Sequence, residues 1–327
     1  MPNTTYQVEF LQENKYRLFR GLYNDFVSKS LTDYHFELPP LAYDEFVEAV
    51  SKDVIKCVVL LENSFPTAFM VYVVPDYESV ELNLIHCLGD EDLIEKRNYL
   101  MKFFIENTET ERKDAVVCYP MLGSQSDYTP DITHFDFKLI GLIVLRFLIN
   151  DSASLSILKE INPKKLASEY KLVAWDKKYM QDAISVIHQT FQNTSDALFD
   201  NRFQSVDGVT DIIDKLTNSV YGEFLEDETT VLLYNNKPVG FAMANVTGNN
   251  IANIPLVGLL EEHRGTGLSV LMLKRVMDSI LKLVKSKKRE FIEVNVTTET
   301  DNFGALRMYR TAGFKEDYSY TQAYLPK

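Results

Sequence analysis

The same succession of elements is legible twice along the chain, and that recurrence limits the folds open to it. The first pass opens with a strand signal at Tyr6–Leu11 and helical stretches around Tyr16–Ser30 and Tyr43–Lys52. Apolar strand-like runs follow at Ile55–Leu61, Ala68–Val74 and Val80–Cys87, then an amphipathic segment at Leu93–Ile105 and strand signals at Ala115–Tyr119 and Gly141–Ile149. The second pass begins with a strand at Leu172–Trp175 and helices at Gln181–Phe191 and Val209–Val220. Thr230–Tyr234 and Val239–Val246 form a hairpin around Asn235-Asn236-Lys237-Pro238. Ile251–Leu260 is a strand, and Leu268–Val284 is a helix with Leu271, Leu273, Val276, Met277, Ile280, Leu281 and Val284 on one face and Lys274, Arg275 and Lys282 outward. A strand at Phe291–Thr297, a helix at Asn302–Thr311 and a strand near Tyr318–Leu325 complete the pass. The repetition predicts duplication of one α/β unit.

A chain of 327 residues is long for one core and comfortable for two. The expected division is a first domain over 1–150, a linker over 151–168 and a second domain over 169–327. Asn150–Ser168, with Asp151, Ser152, Ser154, Ser156 and Pro163, reads as a connector with some helical content. Met1-Pro2-Asn3-Thr4-Thr5-Tyr6 lacks the basic and apolar regions of a signal peptide, and no apolar run is long enough to span a bilayer, so a cytoplasmic location is expected. Cys57, Cys87 and Cys118 have no metal-ligand spacing and read as buried free thiols; no metal is expected. The net charge of −13 disfavours nucleic acid and anionic membrane as partners. It is compatible with steering a cationic amine, and equally with plain solubility.

Local chemistry is concentrated near the C-terminus. Glu261-Glu262-His263-Arg264-Gly265-Thr266-Gly267-Leu268-Ser269 joins a strand to a long amphipathic helix through a glycine-punctuated turn. Glycines permit tight turning, and the unpaired N–H groups of a first helical turn converge on an anion, aided by the helix dipole. A dinucleotide-binding reading is the weaker one, because a second spaced glycine pair and a ribose-binding acid are missing. Farther on, Asn302 and Tyr309 lie about two helical turns apart on one face, with Ala305 between them leaving room for something to approach. Gly313 is placed to end that helix. Taken singly, Asn302 also reads as a helix cap and Tyr309 as a packing residue.

Jointly, the Arg264-Gly265-Thr266-Gly267-Leu268-Ser269 turn and the Asn302…Ala305…Tyr309…Gly313-Phe314 helix resemble the GNAT superfamily of acyl-CoA-dependent N-acyltransferases, over roughly residues 165–327. Ser269 stands where that family usually carries Gly or Ala. The resemblance implies two tandem domains, each a mixed, mostly antiparallel twisted sheet flanked by helices. It implies acetyl-CoA as co-substrate, with backbone N–H groups of Arg264, Gly265, Thr266, Gly267, Leu268 and Ser269 on its pyrophosphate and Asn302 facing it. Val257 and Leu259 would bond the pantetheine arm through their backbones. The Leu259 N–H would donate to the thioester carbonyl, and Tyr309 would protonate the departing thiolate. The family strand usually carries a bulge and splays from its neighbour; Gly258 would suit the bulge, or simply pack closely. The implied reaction is acetyl transfer to a primary amine of a small molecule or peptide. A non-catalytic acyl-CoA-binding or scaffold protein is the alternative, and a homodimer is compatible with either.

No residue stands out as general base: Glu293 and Glu299 could serve, or be solvated carboxylates beside a water chain to bulk. Asp196, Asp200, Glu223, Glu226, Asp227 and Glu228 would form an acidic rim for an amine, or an ordinary solvated face. In the first half, Leu88-Gly89-Asp90-Glu91-Asp92 puts carboxylates where a phosphate would land, and Phe135–Gly141 lacks the Asn/Ala/Tyr pattern. That half is expected to be a degenerate GNAT-like domain that binds no CoA. Its aromatics Tyr16, Phe19, Tyr23, Phe26, Tyr34 and Phe36 form either a core or an exposed surface.

Overall fold

The computed structural model describes residues 5–36, 38–74, 79–111, 116–162, 166–248 and 250–326. Met1 to Thr4, Ala115 and Pro163, which entered the sequence reading, lie outside the described residues. The fold divides into two compact units: unit 1 comprises residues 1–140 and 320–327, and unit 2 residues 141–319.

In chain order the elements are β1 (Tyr6–Phe10), α1 (Tyr16–Ser30), α2 (Tyr43–Ser51), β2 (Lys56–Glu62), β3 (Phe65–Val73), β4 (Ser79–Cys87), α3 (Leu93–Asn107), β5 (Val116–Met121), the short α4 (Thr129–Ile132) and β6 (Lys138–Leu148). There follow α5 (Ser152–Glu160), β7 (Tyr170–Ala174), α6 (Met180–Phe191), the short α7 (Asp196–Phe199), α8 (Val206–Thr217), β8 (Glu223–Phe224), β9 (Thr230–Tyr234), β10 (Lys237–Gly248), β11 (Ile251–Leu259), α9 (Leu268–Lys285), β12 (Glu293–Glu299), α10 (Phe303–Thr311) and β13 (Lys315–Leu325). The repeated order read from the sequence is therefore present. The hairpins repeat as well: Asn63 and Ser64 between β2 and β3, and Asn235 and Asn236 between β9 and β10, all take positive φ, as a two-residue turn matched to strand twist demands.

Each unit holds a mixed, mostly antiparallel sheet covered on both faces. In unit 1 the strand order is β1-β2-β3-β4-β5-β13, and only β4 and β5 run parallel. Phe19, Tyr23, Phe26 and Tyr34 pack on one face with Phe46, Val59 and Phe69. These aromatics are core, while Tyr16 and Phe36 are partly buried against it. Leu100, Met101 and Phe104 of α3 cover the other face. All three cysteines are buried free thiols.

In unit 2 the order is β6-β12-β11-β10-β9-β7, with β8 paired to β10 and only β11 and β12 parallel. Alternation along β10 sends Phe241 and Met243 to the α6–α8 face and Ala242 and Ala244 to the α9 face. The connector read between residues 150 and 168 contains α5, started by Asp151, whose side chain accepts from the Ser154 N–H. Arg275, expected to point outward, instead turns its guanidinium onto Thr230 Oγ1 of β9 at 3.1 Å.

The division differs in one respect from a cut at residue 150. Leu142–Leu148 of β6 pair with β12 inside unit 2, and the C-terminal Thr321–Leu325 pair with β5 inside unit 1. The last strand of each sequence half thus completes the sheet of the other. Hydrophobic patterning records that a strand is half-buried and says nothing of which sheet it joins. Truncation before Tyr320 should strip β5 of its antiparallel ladder partner, leaving only its short pairing with β4, and remove buried Ala323. Amide protection at Val117–Met121 is expected to fall by at least about tenfold in hydrogen exchange.

Candidate acyl-CoA site

The site of unit 2 begins with a parting of strands. β11 and β12 pair in parallel only through Ile251–Asn253 and Glu293–Asn295, whereas β12 stays paired with β6 as far as Glu299. A register shift against β10 falls between Leu256 and Asn253 on β11, so the irregularity spans Ile254 and Pro255. Gly258 is not the bulge: a Cβ there would lie 2.9 Å from both Ile187 Cδ1 and Thr190 Oγ1, so this glycine lets α6 pack close to the strand.

Beyond the parting, the outer edge of β11 has no strand beside it. Leu260 N–H donates to the Val239 carbonyl at 3.0 Å. Bonded and non-bonded pairs alternate along an antiparallel ladder, so Val257 and Leu259 direct their backbone groups away from β10. The Leu259 carbonyl accepts from Arg264 Nε at 2.8 Å, and its N–H remains on the open side. Both Val257 and Leu259 line a cleft of about 640 Å³, together with Arg264, Gly265, Gly267, Ser269 and Asn302.

The turn into α9 is held open in a way only glycine tolerates. Gly265 has φ +78 and Gly267 φ +83, the left-handed region. No side chain caps α9, and the Leu271 N–H, bonded to the Gly267 carbonyl at 3.2 Å, begins its ladder. Among the described residues the N–H groups of Gly265 through Ser269 have no protein acceptor. The Arg264 N–H, expected among the donors, is engaged with the Glu261 carbonyl at 3.0 Å. Leu268 is buried in the core and Thr266 is exposed, its hydroxyl donating to the His263 carbonyl, so these two contribute backbone alone and do not line the cleft. The turn is pinned from outside by Tyr170, whose hydroxyl bonds His263 Nδ1 at 2.8 Å.

The opposite wall is α10. Asn302 does two jobs there: its Oδ1 accepts from the Ala305 N–H at 3.1 Å as the helix cap, and its Nδ2 donates to Glu299 Oε2 at 3.1 Å. Ala305 lines the cleft as its size suggested, and Arg307 brings a positive charge that sequence reading missed. The helix ends in a Schellman turn, with Phe314 N–H on the Tyr309 carbonyl and Gly313 at φ +93. Tyr309 is 6% exposed and does not form the cleft wall; it lies among core residues including Phe314 and Leu306. Among the described residues nothing hydrogen-bonds its hydroxyl, and burial, followed by the charges of Asp196 and Glu299, pushes its pKa well above the usual tyrosine range.

Those two carboxylates differ in state. Glu299 is buried, not solvated, and burial would raise its pKa; donors from Ser195 Oγ, its own backbone N–H, Asn302 and Thr298 outweigh that and hold it below the usual range. Asp196, at the start of α7, lines the cleft, and burial together with repulsion from Glu299 pushes it up to about 6. Glu293 is also buried, 3.4 Å from Arg146, and lies outside the cleft. The six acidic residues read as one rim do not gather. Asp200 bonds Arg202, Glu223 pairs with Arg289 and Glu228 is buried, so only Asp196 of the six lines the cleft. Among the described residues there is no His/Cys/Asp/Glu cluster fit for a metal, and no helix long and apolar enough to cross a membrane.

Comparison with known proteins agrees with this geometry. Residues 202–314 match the model of the acetyltransferase (GNAT) family. No curated protein sequence matches the chain. Among solved structures, the fold is similar to a GCN5-related N-acetyltransferase from Sphaerobacter thermophilus, with 12% identity, TM-score 0.63, and coverage of 98% of this chain and 95% of that one. It is similar to a tandem GNAT protein from the clavulanic acid biosynthesis pathway, with 12% identity, TM-score 0.53 and 98% of each chain covered. It also resembles a GCN5-related glucosamine N-acetyltransferase region in a fungal multi-domain GH3 beta-N-acetylglucosaminidase, with 11% identity, TM-score 0.57, and 99% of this chain but 38% of that one covered. At these identities the structural likeness is one of fold, and the fold is one that supports acyl transfer. Residues 202–314 thus match the acetyltransferase (GNAT) family model, and the chain as a whole has the two-unit fold of tandem GNAT proteins.

Proposed function

We propose that unit 2 transfers the acetyl group of acetyl-CoA to a primary amine of a small molecule or peptide, in a cytoplasmic setting. The observation that carries this reading is the convergence on one cleft of two sets of backbone donors, the turn before α9 and the open edge of β11. The turn suits a pyrophosphate: Gly265, Thr266, Gly267, Leu268 and Ser269 offer N–H groups at a helix N-terminus, with Arg264 and Arg307 supplying positive charge. The edge suits an extended amide-bearing arm, since Val257 and Leu259 present the groups a neighbouring strand would otherwise bond.

Asp196 takes the proton of the attacking ammonium, and its elevated pKa suits a base near neutral pH better than the depressed one of Glu299. The Leu259 N–H donates to the thioester oxygen, where negative charge grows as the nitrogen–carbon bond forms. Tyr309 supplies a proton to the sulfur as the carbon–sulfur bond breaks. Holding amine and thioester together removes a barrier on the order of several kcal/mol. A domain that merely stored acyl-CoA would need no such pair of proton-handling groups under the cleft. Unit 1 offers no equivalent cradle, because Asp90, Glu91 and Asp92 occupy its corresponding turn, and it is assigned no CoA.

Calorimetry of the full chain is expected to return one acetyl-CoA site per chain. Gly267→Ala, which forces a left-handed φ on a residue with a Cβ at about 1–2 kcal/mol, should weaken that binding roughly tenfold. Two sites in the unaltered protein would contradict the assignment. Tyr309→Phe should lower turnover at least about tenfold while acetyl-CoA affinity barely changes; undiminished turnover with a good acceptor removes Tyr309 from the reaction. Because the Asp196 pKa is raised to about 6, the carboxylate is the base above that pH and is lost as an acid below it. The kcat/KM profile should therefore climb through about pH 6 to a plateau, and Asp196→Asn should abolish the limb and cost roughly 10²–10⁴ in rate.

A further inference from the structure

Unit 1 contains a cavity of about 1040 Å³, larger than the cleft of unit 2. It lies where β4 and β5, paired in parallel only over Ser79–Glu81 and Val116–Cys118, have parted before α3. Its lining includes Arg97, a residue of α3 that is only 8% exposed. Among the described residues no carboxylate or carbonyl oxygen accepts from that guanidinium. Its contacts are the Cys87 sulfur and the ring of Tyr128, whose centroid lies 5.5 Å away.

Most of the polar groups around it lie against one another. The Tyr34 hydroxyl is 2.7 Å from His86 Nδ1, His86 Nε2 is 3.1 Å from Asp25 Oδ2, and that carboxylate has Lys29 Nζ at 3.0 Å, so its charge is answered. Tyr119 donates to Gln125 Oε1 at 2.7 Å, and Tyr128 donates to Asn98 Oδ1 at 2.7 Å. Lys96, the neighbouring buried cation, has Glu62 at 3.6 Å. Among the described residues around this cavity, Arg97 is a buried full charge with no anion, an arrangement folding does not favour. A planar guanidinium is built for a carboxylate held by two bonds.

The mouth of the same cavity has the opposite character. Asp33, Asp90, Asp92 and Asp127 line it, all exposed and none with a basic partner among the described residues; with Glu95 they outnumber Lys29 and Lys102 of the same lining. Between the buried cation and this acidic margin lie the apolar surfaces of Leu93, Ile94, Tyr99 and Phe135. A phosphate-rich ligand would be repelled at the margin, and a simple amine would leave Arg97 unanswered. A ligand bearing a carboxylate, a cationic amine and an apolar body satisfies all three surfaces.

We infer that the unit 1 cavity binds a zwitterion of amino-acid type, with its carboxylate on Arg97, its ammonium among Asp33, Asp90 and Asp127, and an apolar side chain against Tyr99 and Phe135. The assignment is independent of acyl transfer in unit 2. It also gives the first unit a function that the carboxylates of its turn permit, where those carboxylates exclude a pyrophosphate.

The test is calorimetry of the full chain with L-phenylalanine, its methyl ester and its N-acetyl derivative. L-Phenylalanine should bind saturably at millimolar concentration or below, and each blocked derivative at least about tenfold more weakly. Arg97→Met should reduce phenylalanine binding at least about tenfold in a chain whose circular dichroism is unchanged. Should that variant fail to fold, the exposed pair Asp90→Asn and Asp127→Asn serves instead, weakening phenylalanine about threefold or more while leaving N-acetyl-phenylalanine unaffected. No heat from any probe up to about 10 mM overturns the inference. So does binding indifferent to esterification or to these substitutions, and so does displacement of phenylalanine by acetyl-CoA, which would make the cavity a cofactor site.

Discussion

Backbone hydrogen bonding sets the terms for this protein, because a strand that leaves its neighbour inside a sheet must find other partners for its N–H and C=O groups. β11 leaves β12 after Asn253, and everything distinctive in unit 2 follows from that departure. The freed edge of Val257 and Leu259 can be answered by an extended ligand, a small-molecule version of strand addition. The same wedge leaves α9 to begin with its N–H groups facing the gap, since Gly265 and Gly267 turn the chain without placing a side chain over them. Arg264, bonded to the Leu259 carbonyl, ties the two donor sets into one rigid piece.

Unit 1 is built on the same wedge and diverges in what surrounds it. β4 and β5 part just as β11 and β12 do, and α3 occupies the place of α9. Where one turn presents glycines and bare N–H groups, the other presents Gly89 and then three acids, with Asp92 itself in the left-handed region. The two units share this architecture, while the charge at the corresponding turn differs between them. Asp196 and Glu299 show a comparable division of labour at close quarters. The carboxylate with several donors stays ionised, and the one that must answer to burial and to its neighbour's charge hovers near neutrality.

Much of this was legible in the residues. The helices and strands were readable because amphipathic periods are strong over ten or more residues, and the Asn235-Asn236 turn because both positions must take positive φ. Arg264, Gly265, Gly267 and Ser269 of the cleft were identifiable because turn chemistry is local, whereas Val257, Leu259 and Asn302 came from the family resemblance. Asp196 was visible only as one acid among six, since its elevated pKa depends on Glu299, distant in sequence. Gly258 read equally as a bulge or as a close-packing site, and it is the second; Pro255, which cannot donate to a ladder, was the better signal of the irregularity. Which sheet β6 and β13 enter was beyond pattern reading, as both alternate equally well in either place.

That exchange of strands reverses the usual order in which a tandem protein matures. A chain emerging from the ribosome normally closes its N-terminal portion first. Here the sheet of unit 1 lacks Thr321–Leu325 until every residue of unit 2, through Ser319, has been made. Until then β5 waits with a bare margin, the kind of template on which nascent chains stick to one another. The unit begun first of the two is therefore the last to be sealed, and its safekeeping rests on one short strand that follows the whole of unit 2.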